Sequence, residues 1–382
     1  IIELAKAKGV DAIHPGYGFL SENSEFAKQC EEAGIAFIGP THEMMDALGD
    51  KIQSKIVANS VGVPTIPGVE KAAENEEEVL EYAKVCGYPL ILKASAGGGG
   101  RGMRIVRDEK DLLQEYRSAK SEAKKAFGID TIFVEKYIEN PKHIEVQVLG
   151  DKHGNLVHLF ERDCSIQRRH QKVIEFGPAL CLTEEQRQAI CGDALKIAGS
   201  VNYRGAGTVE FLVDKHGNHY FIEMNPRIQV EHTVTEMVTG IDLIKEQIRI
   251  ADGLPLDIAQ EDISLTGHVI ECRINAEDPK NNFRPCPGRI ESIHTPGGFG
   301  VRIDTAVYQG YVIPPYYDSM IAKLIVKGKD RKEAITKMKV ALSEMLIEGV
   351  QTNIDFQLNL LRDKEFESGI FDIGFLNRKD FS

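Results

Sequence analysis

Glu210 and Glu223 lie in "GTVEFLVDKHGNHYFIEMN", which reads as two strands joined by a turn. If the hairpin closes through a two-residue loop at His216-Gly217, Lys215 faces Asn218 and Glu210 falls opposite Glu223, with Asn225 on the same face two residues on. Opposed like charges destabilise a sheet. A divalent cation between them removes that penalty, and two carboxylates plus an amide oxygen suit Mg²⁺, which keeps few protein ligands and shares phosphate oxygens. The same spacing fits a solvated face, and a slip of one residue would move the set apart. In the following "NPRIQVEH", an extended chain puts Arg227, Gln229 and Glu231 on one face: a guanidinium fork for an oxyanion, an amide and a carboxylate. That set suits a small anion and a base. It also fits a surface strand with a solvated ion pair.

A second kind of chemistry lies upstream. "KASAGGGGRGMRIV" places four consecutive glycines, Gly97, Gly98, Gly99 and Gly100, between two apolar runs. Glycines have no Cβ to hold a ligand off, and their N–H groups can turn toward one anion, so a phosphate is a natural guest. A mobile hairpin loop or flexible linker has the same composition. The glycines lead into a strand, and no Gly-Lys-Ser/Thr follows, so neither a dinucleotide fingerprint nor a P-loop is matched. A phosphate site here is a hairpin flap, with Lys93 on the incoming strand as its fixed charge. "QRRHQK" (167–172) gathers further cations in an acidic chain and reads as a solvated loop held by flanking strands.

The elements that must position these groups follow from periodicity. "IIELAKAKG" reads as a helix ended by Gly9, "AFIGP" as a strand, and "THEMMDALGDKIQSKIVANSVGVP" as a helical connector stopped by Gly62 and Pro64. Next come a helix over "ENEEEVLEYAKVCG", strands flanking the glycines, a helix over "DEKDLLQEYRSAKSEAKKAF" and the strand "TIFVEKYI", together a compact α+β unit and candidate lid. From Asn140 the chain is strand-rich, with two hairpins turning through the same "DKHGN" and a final pair of helices after "KLIVKG". "TKMKVAL" is helical, since Ile335, Met338, Leu342 and Met345 recur at its period.

The chain has 382 residues, 42% of them hydrophobic and 27% charged, enough for two or three domains with real cores. A net charge of −12 argues against nucleic acid or an anionic membrane as main partner, since both need a broad basic face. Seven scattered cysteines, never spaced Cys-x-x-Cys, fit neither a disulfide framework nor a zinc site and point to a reducing cytoplasm or organelle matrix. No apolar run approaches the ~20 residues of a membrane span.

In this order, "HPGYGFLSEN", "LGDK", "KASAGGGGRGMRIV", "ERDCSIQRRHQKVIE", "FIEMNPRIQVEHTVTE", "ECRINAEDP" and "PPYYDSMIAKL" resemble the biotin carboxylase family of ATP-grasp ligases over essentially the whole chain. The resemblance implies a mixed α+β and α/β architecture: a remnant of an N-terminal Rossmann-like domain (1–38), whose opening strand and helix would precede Ile1, a helical linker (39–65), the ATP-grasp lid (66–137), and the ATP-grasp core with the C-terminal biotin carboxylase domain (138–382). It implies ATP-driven carboxylation of biotin by bicarbonate through carboxyphosphate, with ATP and Mg²⁺ or Mn²⁺. Lys51 and Lys93 would contact the phosphates under the glycine loop; Glu135, Lys136 and Ile138 would surround the adenine, and His143 would contact the ribose. Gln167 and His170 would join the nucleotide and substrate contacts. Glu210 and Glu223 would hold the metal with Asn225 beside them. Lys172 and Arg227 would hold bicarbonate near Gln229 and the Val230 backbone, Glu231 would be its base, Arg273 would stabilise the biotin enolate, and Tyr17 would lie close to biotin. The chain lacks a Met-Lys-Met acceptor, so biotin would arrive on a carrier domain or protein. The other implied partners are a carboxyltransferase and a second copy in a homodimer. A carbamoyl-phosphate-synthetase-like ligase and a non-catalytic nucleotide-binding module are the rival readings.

Overall fold

The computed structural model describes residues 1–49, 51–68, 71–94, 103–127 and 130–381, without the side chains of 51–52 and 126–127. Helix α1 (Ile2–Lys8) ends where Gly9 takes φ 62°, a left-handed conformation that costs glycine little. Strand β1 (Ala12–Ile13) pairs parallel with β2 (Ala36–Phe37) across helix α2 (Ser24–Glu32), whose Phe26, Ala27 and Cys30 pack on Phe37 and Met45. The connector is two helices, α3 (His42–Gly49) and α4 (Lys51–Ser60).

The expected α+β unit is present. Helix α5 (Glu76–Cys86) is capped by Asn75, whose side chain accepts from the Glu78 amide, and stops at Gly87. Strands β3 (Leu90–Ala94), β4 (Met103–Val106) and β5 (Ile132–Lys136) form a three-stranded antiparallel sheet in the order β4-β3-β5, covered by α5 and α6 (Glu109–Phe127). Alternation sorts its faces: Leu90, Leu92, Ala94, Ile132 and Val134 enter the core, which leaves Lys93 and Glu135 together on the other face.

The main sheet has eight antiparallel strands. β6 (Lys142–Gly150), β7 (Leu156–Arg168), β8 (Gln171–Gly177), β9 (Gly205–Val213), β10 (His219–Asn225) and β11 (His268–Asn275) are its first six in sequence. Short pairs follow: β12 (Glu277–Asp278) with β13 (Arg284–Pro285), β14 (Gly288–Arg289) with β17 (Val312–Ile313), and β15 (Ser292–His294) with β19 (Leu346–Glu348). With β16 (Val301–Thr305) and β18 (Met320–Gly328) the sheet order is β10-β9-β6-β7-β8-β11-β18-β16, one surface running from the second hairpin into the C-terminal region. Helix α7 (Glu184–Ser200), opened by a Thr183/Gln186 capping box, covers one face through Ile190, Ala194 and Ile197 against Val146, Val209 and Phe211. Helices α8 (His232–Thr239) and α9 (Leu243–Ala251) lie on the opposite side.

The C-terminal part closes on α10 (Arg331–Glu344), α11 (Ile354–Leu361) and α12 (Lys364–Ser368), three helices where the sequence reading expected two. Gly369 in the left-handed region ends α12 after five residues, too short for helical periodicity to register. Ile335, Met338, Leu342 and Met345 are buried, as their spacing requires. None of the seven cysteines is in a disulfide, and no helix among the described residues is long and apolar enough to cross a membrane.

His268 sits in this core, its Nε2 3.2 Å from Arg331 Nη1 and its ring beside Phe176. Burial, and then the Arg331 charge, push its pKa down from 6.5 to about 3. The fold therefore favours the neutral ring: its stabilising contribution is complete above pH 6.5 and lost as pH falls toward the folded value. Urea melts at pH 7 and pH 5 should show wild type losing about 2 kcal/mol more than His268→Asn. Equal losses would refute the assignment.

Candidate active site

Strand register assembles the site. Glu223 on β10 pairs with Glu210 on β9, Glu210 with Glu145 on β6, and Glu145 with Arg162 on β7. One rung across four strands thus carries three carboxylates and one guanidinium, on the side opposite α7. The Glu210–Glu223 pairing was expected, but by a different route. The turn is one residue longer than read: Asp214 faces Asn218, with its Oδ1 accepting from the His216 and Asn218 amides. A bulge between Phe221 and Glu223 then shifts the register back by one. Asn225 lies within the cluster, its Nδ2 donating to Glu210 Oε1 at 2.8 Å.

Lys172 enters the same cluster from β8. Its Nζ contacts Glu145, lies 2.6 Å from Glu231 Oε1 and 3.3 Å from Glu210 Oε1. The "QRRHQK" segment is therefore not simply solvated. It is a tight turn in which Gln167 pairs with Lys172 and Arg168 with Gln171; Arg169 and His170 are exposed at the tip with φ 51° and 65°, while Lys172 points inward. Gln167 is buried and donates to the Cys164 carbonyl at 2.9 Å. His143 Nε2 lies 2.9 Å from Glu210 and 3.1 Å from Glu145.

The "NPRIQVEH" segment is bent rather than extended. Arg227 N donates to the Asn225 carbonyl, His232 N to the Gln229 carbonyl, and Glu231 precedes α8. Alternation therefore does not govern its side chains, yet they converge. Arg227 donates to Asn225 Oδ1 at 3.0 Å and forms an ion pair with Glu22 at 2.9 Å, and Gln229 Nε2 donates to Glu210 Oε1 at 2.9 Å. Glu231, 2% exposed, receives Lys172 on one oxygen and Arg273 Nη2, at 3.0 Å, on the other. Arg273 also donates through Nε to Glu175 at 2.6 Å.

The electrostatics follow from this pairing. Burial raises carboxylate pKa values and is the largest single influence on each, but Lys172 together with His143 beside Glu210 and Glu145, and with Arg273 and Arg162 beside Glu231, outweighs it, holding Glu210 and Glu231 below their usual range and Glu145 at about 2. Burial disfavours charge on His143 too, yet Glu210 and Glu145 lift its imidazole to about 9. Glu175 goes the other way: burial takes it to about 8 against the pull of Arg273. Burial, then Glu271, raise Tyr17, whose ring lies 5.9 Å from Lys323 Nζ.

Lys93 and Glu135 contact each other on the face of the three-stranded sheet away from α5 and α6, and Lys55 joins them 2.5 Å from Glu135. These side chains make no hydrogen bond to the Glu210–Glu231 cluster among the described residues. Lys136 donates instead to the Tyr88 carbonyl at 2.6 Å, and Ile138 is half-buried. The Lys51 side chain and Gly97, Gly98, Gly99 and Gly100 lie outside the described residues. The sequence reading missed Glu145, Arg162, Glu175, Glu271, Lys323 and Lys55. His143-x-Glu145 was a legible signal, since alternation puts both on one face. So was Glu161-Arg162-Asp163, three charges in a strand with apolar flanks. Lys323, 4% exposed, donates to the Val230 carbonyl at 2.6 Å and so holds the backbone before Glu231.

A small α+β unit presenting Lys93, beside a broad antiparallel sheet presenting carboxylates, an ammonium and a guanidinium, is the arrangement of an ATP-grasp ligase. Three family models match in tandem: "Biotin carboxylase, N-terminal domain" over residues 1–45, "Carbamoyl-phosphate synthase L chain, ATP binding domain" over 50–259 and "Biotin carboxylase C-terminal domain" over 271–378. The chain is 54% identical over 380 residues to the biotin carboxylase of Haemophilus influenzae, spanning 99% of this chain and 84% of that protein. It is 51% identical over 381 residues to the mitochondrial pyruvate carboxylase of Rattus norvegicus, covering 99% of this chain and 32% of that one. Among solved structures, the biotin carboxylase domain dimer of Hydrogenobacter thermophilus 2-oxoglutarate carboxylase, in complex with MgADP, ADP and bicarbonate, matches with TM-score 0.90 and 54% identity over 99% of this chain and 83% of that one. The chain belongs to the biotin carboxylase family and is an ATP-dependent ligase.

Proposed function

We propose that this chain carboxylates biotin with bicarbonate at the expense of ATP, through carboxyphosphate, and that the Lys172–Glu231–Arg273 arrangement carries the chemistry. The observation behind this reading is that one carboxylate, Glu231, is held between an ammonium and a guanidinium on its two oxygens. A base so placed is ionised, oriented and flanked by cations for an anionic substrate on either side. Lys172 and Arg227, with the Gln229 amide and Val230 backbone, bind bicarbonate, and Glu231 takes its proton. Arg273 neutralises the charge that develops on the biotin ureido oxygen, with Tyr17 at the rim. Lys51, Lys93 and the glycine loop bind the phosphates; Glu135, Lys136, Ile138, His143, Gln167 and His170 complete the nucleotide side. The domain division at residues 38, 65 and 137 belongs to the same proposal.

The donor set fits a divalent cation. Glu210 and Glu223 face each other across the hairpin, with Glu145 the next carboxylate along the rung and Asn225 beside Glu210. Mg²⁺ would be held by Glu210 and Glu223, with Asn225 beside it, and supplies charge neutralisation for phosphate oxygens. Glu223→Gln should therefore weaken Mg·ATP use by ~10²-fold or more, a far larger effect than on the melting temperature of the metal-free protein. Equal losses of stability and activity would count against the metal role.

Biotin reaches the site on a carrier domain or protein, and a carboxyltransferase takes its carboxyl group onward; the active form is a homodimer in the cytoplasm or an organelle matrix. The deciding experiment measures ADP release with bicarbonate alone, with added biotin and with added ammonia. Stimulation by biotin and formation of carboxybiotin support the proposal. Stimulation by ammonia alone would favour a carbamoyl phosphate chemistry instead.

A further inference from the structure

Arg162 is fully buried and unassigned by the reaction as described, yet it touches the site from beneath. Its Nη1 donates to Gln147 Oε1 and Thr235 Oγ1, both at 2.8 Å. Its Nη2 donates to Gln229 Oε1 at 2.9 Å and Thr208 Oγ1 at 3.2 Å, with Glu145 Oε2 at 3.5 Å. A guanidinium donates and never accepts, so any amide against it must turn its oxygen inward. Gln147 and Gln229 are both fixed this way, but their free ends differ. The Gln147 amide nitrogen is consumed by the Gly207 carbonyl at 2.9 Å, a structural contact. The Gln229 nitrogen emerges into the carboxylate cluster, against Glu210.

We infer that Arg162 is a positioning residue that fixes the Gln229 side-chain amide with its N–H₂ end toward the substrate anion. Reversed, the amide would turn its oxygen toward the anion site and repel bicarbonate, so the orientation is worth more than one hydrogen bond. Thr235 on α8 and Gln229 just before it share the same guanidinium, which couples the helix start to the sheet at this point. The inference rests on the proposed contact between Gln229 and bicarbonate, and the test separates the two.

Steady-state kinetics with varied bicarbonate and varied MgATP would be measured for Arg162→Met, Gln229→Ala and the double variant. The expected result is a rise in the bicarbonate KM of about tenfold or more for each single variant, with the MgATP KM within about twofold of wild type, and less than about twofold further loss when Arg162→Met is added to Gln229→Ala. Multiplicative losses in the double variant would show that Arg162 does not act through Gln229 and overturn the inference. An unchanged bicarbonate KM in Arg162→Met, beside a raised one in Gln229→Ala, would do the same while sparing the Gln229 contact. An unchanged KM in Gln229→Ala would remove that contact and the inference with it. Should Arg162→Met fail to fold, Arg162→Lys replaces it in both backgrounds: the ammonium keeps the charge but lacks the fork that grips both glutamines, so the same pattern of KM values is expected, and wild-type values would refute the inference.

Discussion

Glu231→Gln should abolish bicarbonate-dependent ATP cleavage whether or not biotin is present, whereas Arg273→Met should largely keep that slow ATPase and lose carboxybiotin formation. Both residues share one ion pair of 3.0 Å, so a purely structural effect would strike both activities together. The assigned chemistry separates them. In the proposed roles, Glu231 acts on bicarbonate before any acceptor is needed, and its amide substitute can neither take a proton nor answer both Lys172 and Arg273. Arg273, in the same proposal, acts later, on the ureido oxygen of biotin. Removing an oxyanion partner of this kind costs ~10²–10³ in rate. Arg273 is also anchored apart from its side chain: Asn353 and Gln357 each donate to its carbonyl at 3.0 Å, which should keep the strand in place in the variant. Both activities would be measured on each folded variant, and parallel loss in Arg273→Met would end its assignment to the biotin step.

Lys172→Met should strongly destabilise the fold. The ammonium, with a side chain 15% exposed, answers Glu145, Glu210 and Glu231 at once, and removing it leaves three carboxylates facing one another with His143, Arg162 and Arg273 as the remaining cations around them. Breaking a buried ion pair costs about 3–5 kcal/mol. Added Mg²⁺ can return part of that, because the variant has more uncompensated negative charge than wild type. Thermal melts should therefore show a clear drop without metal and a larger Mg²⁺-induced rise in the variant than in wild type. A variant that melts with wild type in the absence of metal would show that the cluster does not depend on Lys172.

Much of the site was legible in the sequence because strand alternation is a local rule. The pairing of Glu210 with Glu223 needed only a hairpin and a count, although the count was right because a longer turn and a bulge offset each other. Lys93 was legible for the same reason, since its face of β3 alternates with Leu90, Leu92 and Ala94. The glycine run and the order of motifs carried the family, which neither composition nor periodicity could have supplied. The bent path through Pro226 to Glu231 was not legible, because alternation applies only while the backbone stays extended.

What the sequence by itself determined is the set of elements and the chemical types they carry: an α+β unit with a lysine, a hairpin with acids, and after it a segment with an arginine, an amide and a carboxylate. The tertiary structure alone decided which charges answer which. Lys172 reaches Glu231 across 59 positions and Arg162 reaches Gln229 across 67, through strands whose neighbours in the sheet are distant in the chain. Sheet order and register are set by the burial of both faces at once, a cooperative property of the whole core. Within that core the low dielectric makes each unpaired charge costly, and so it selects one set of partners among the many that the sequence allows.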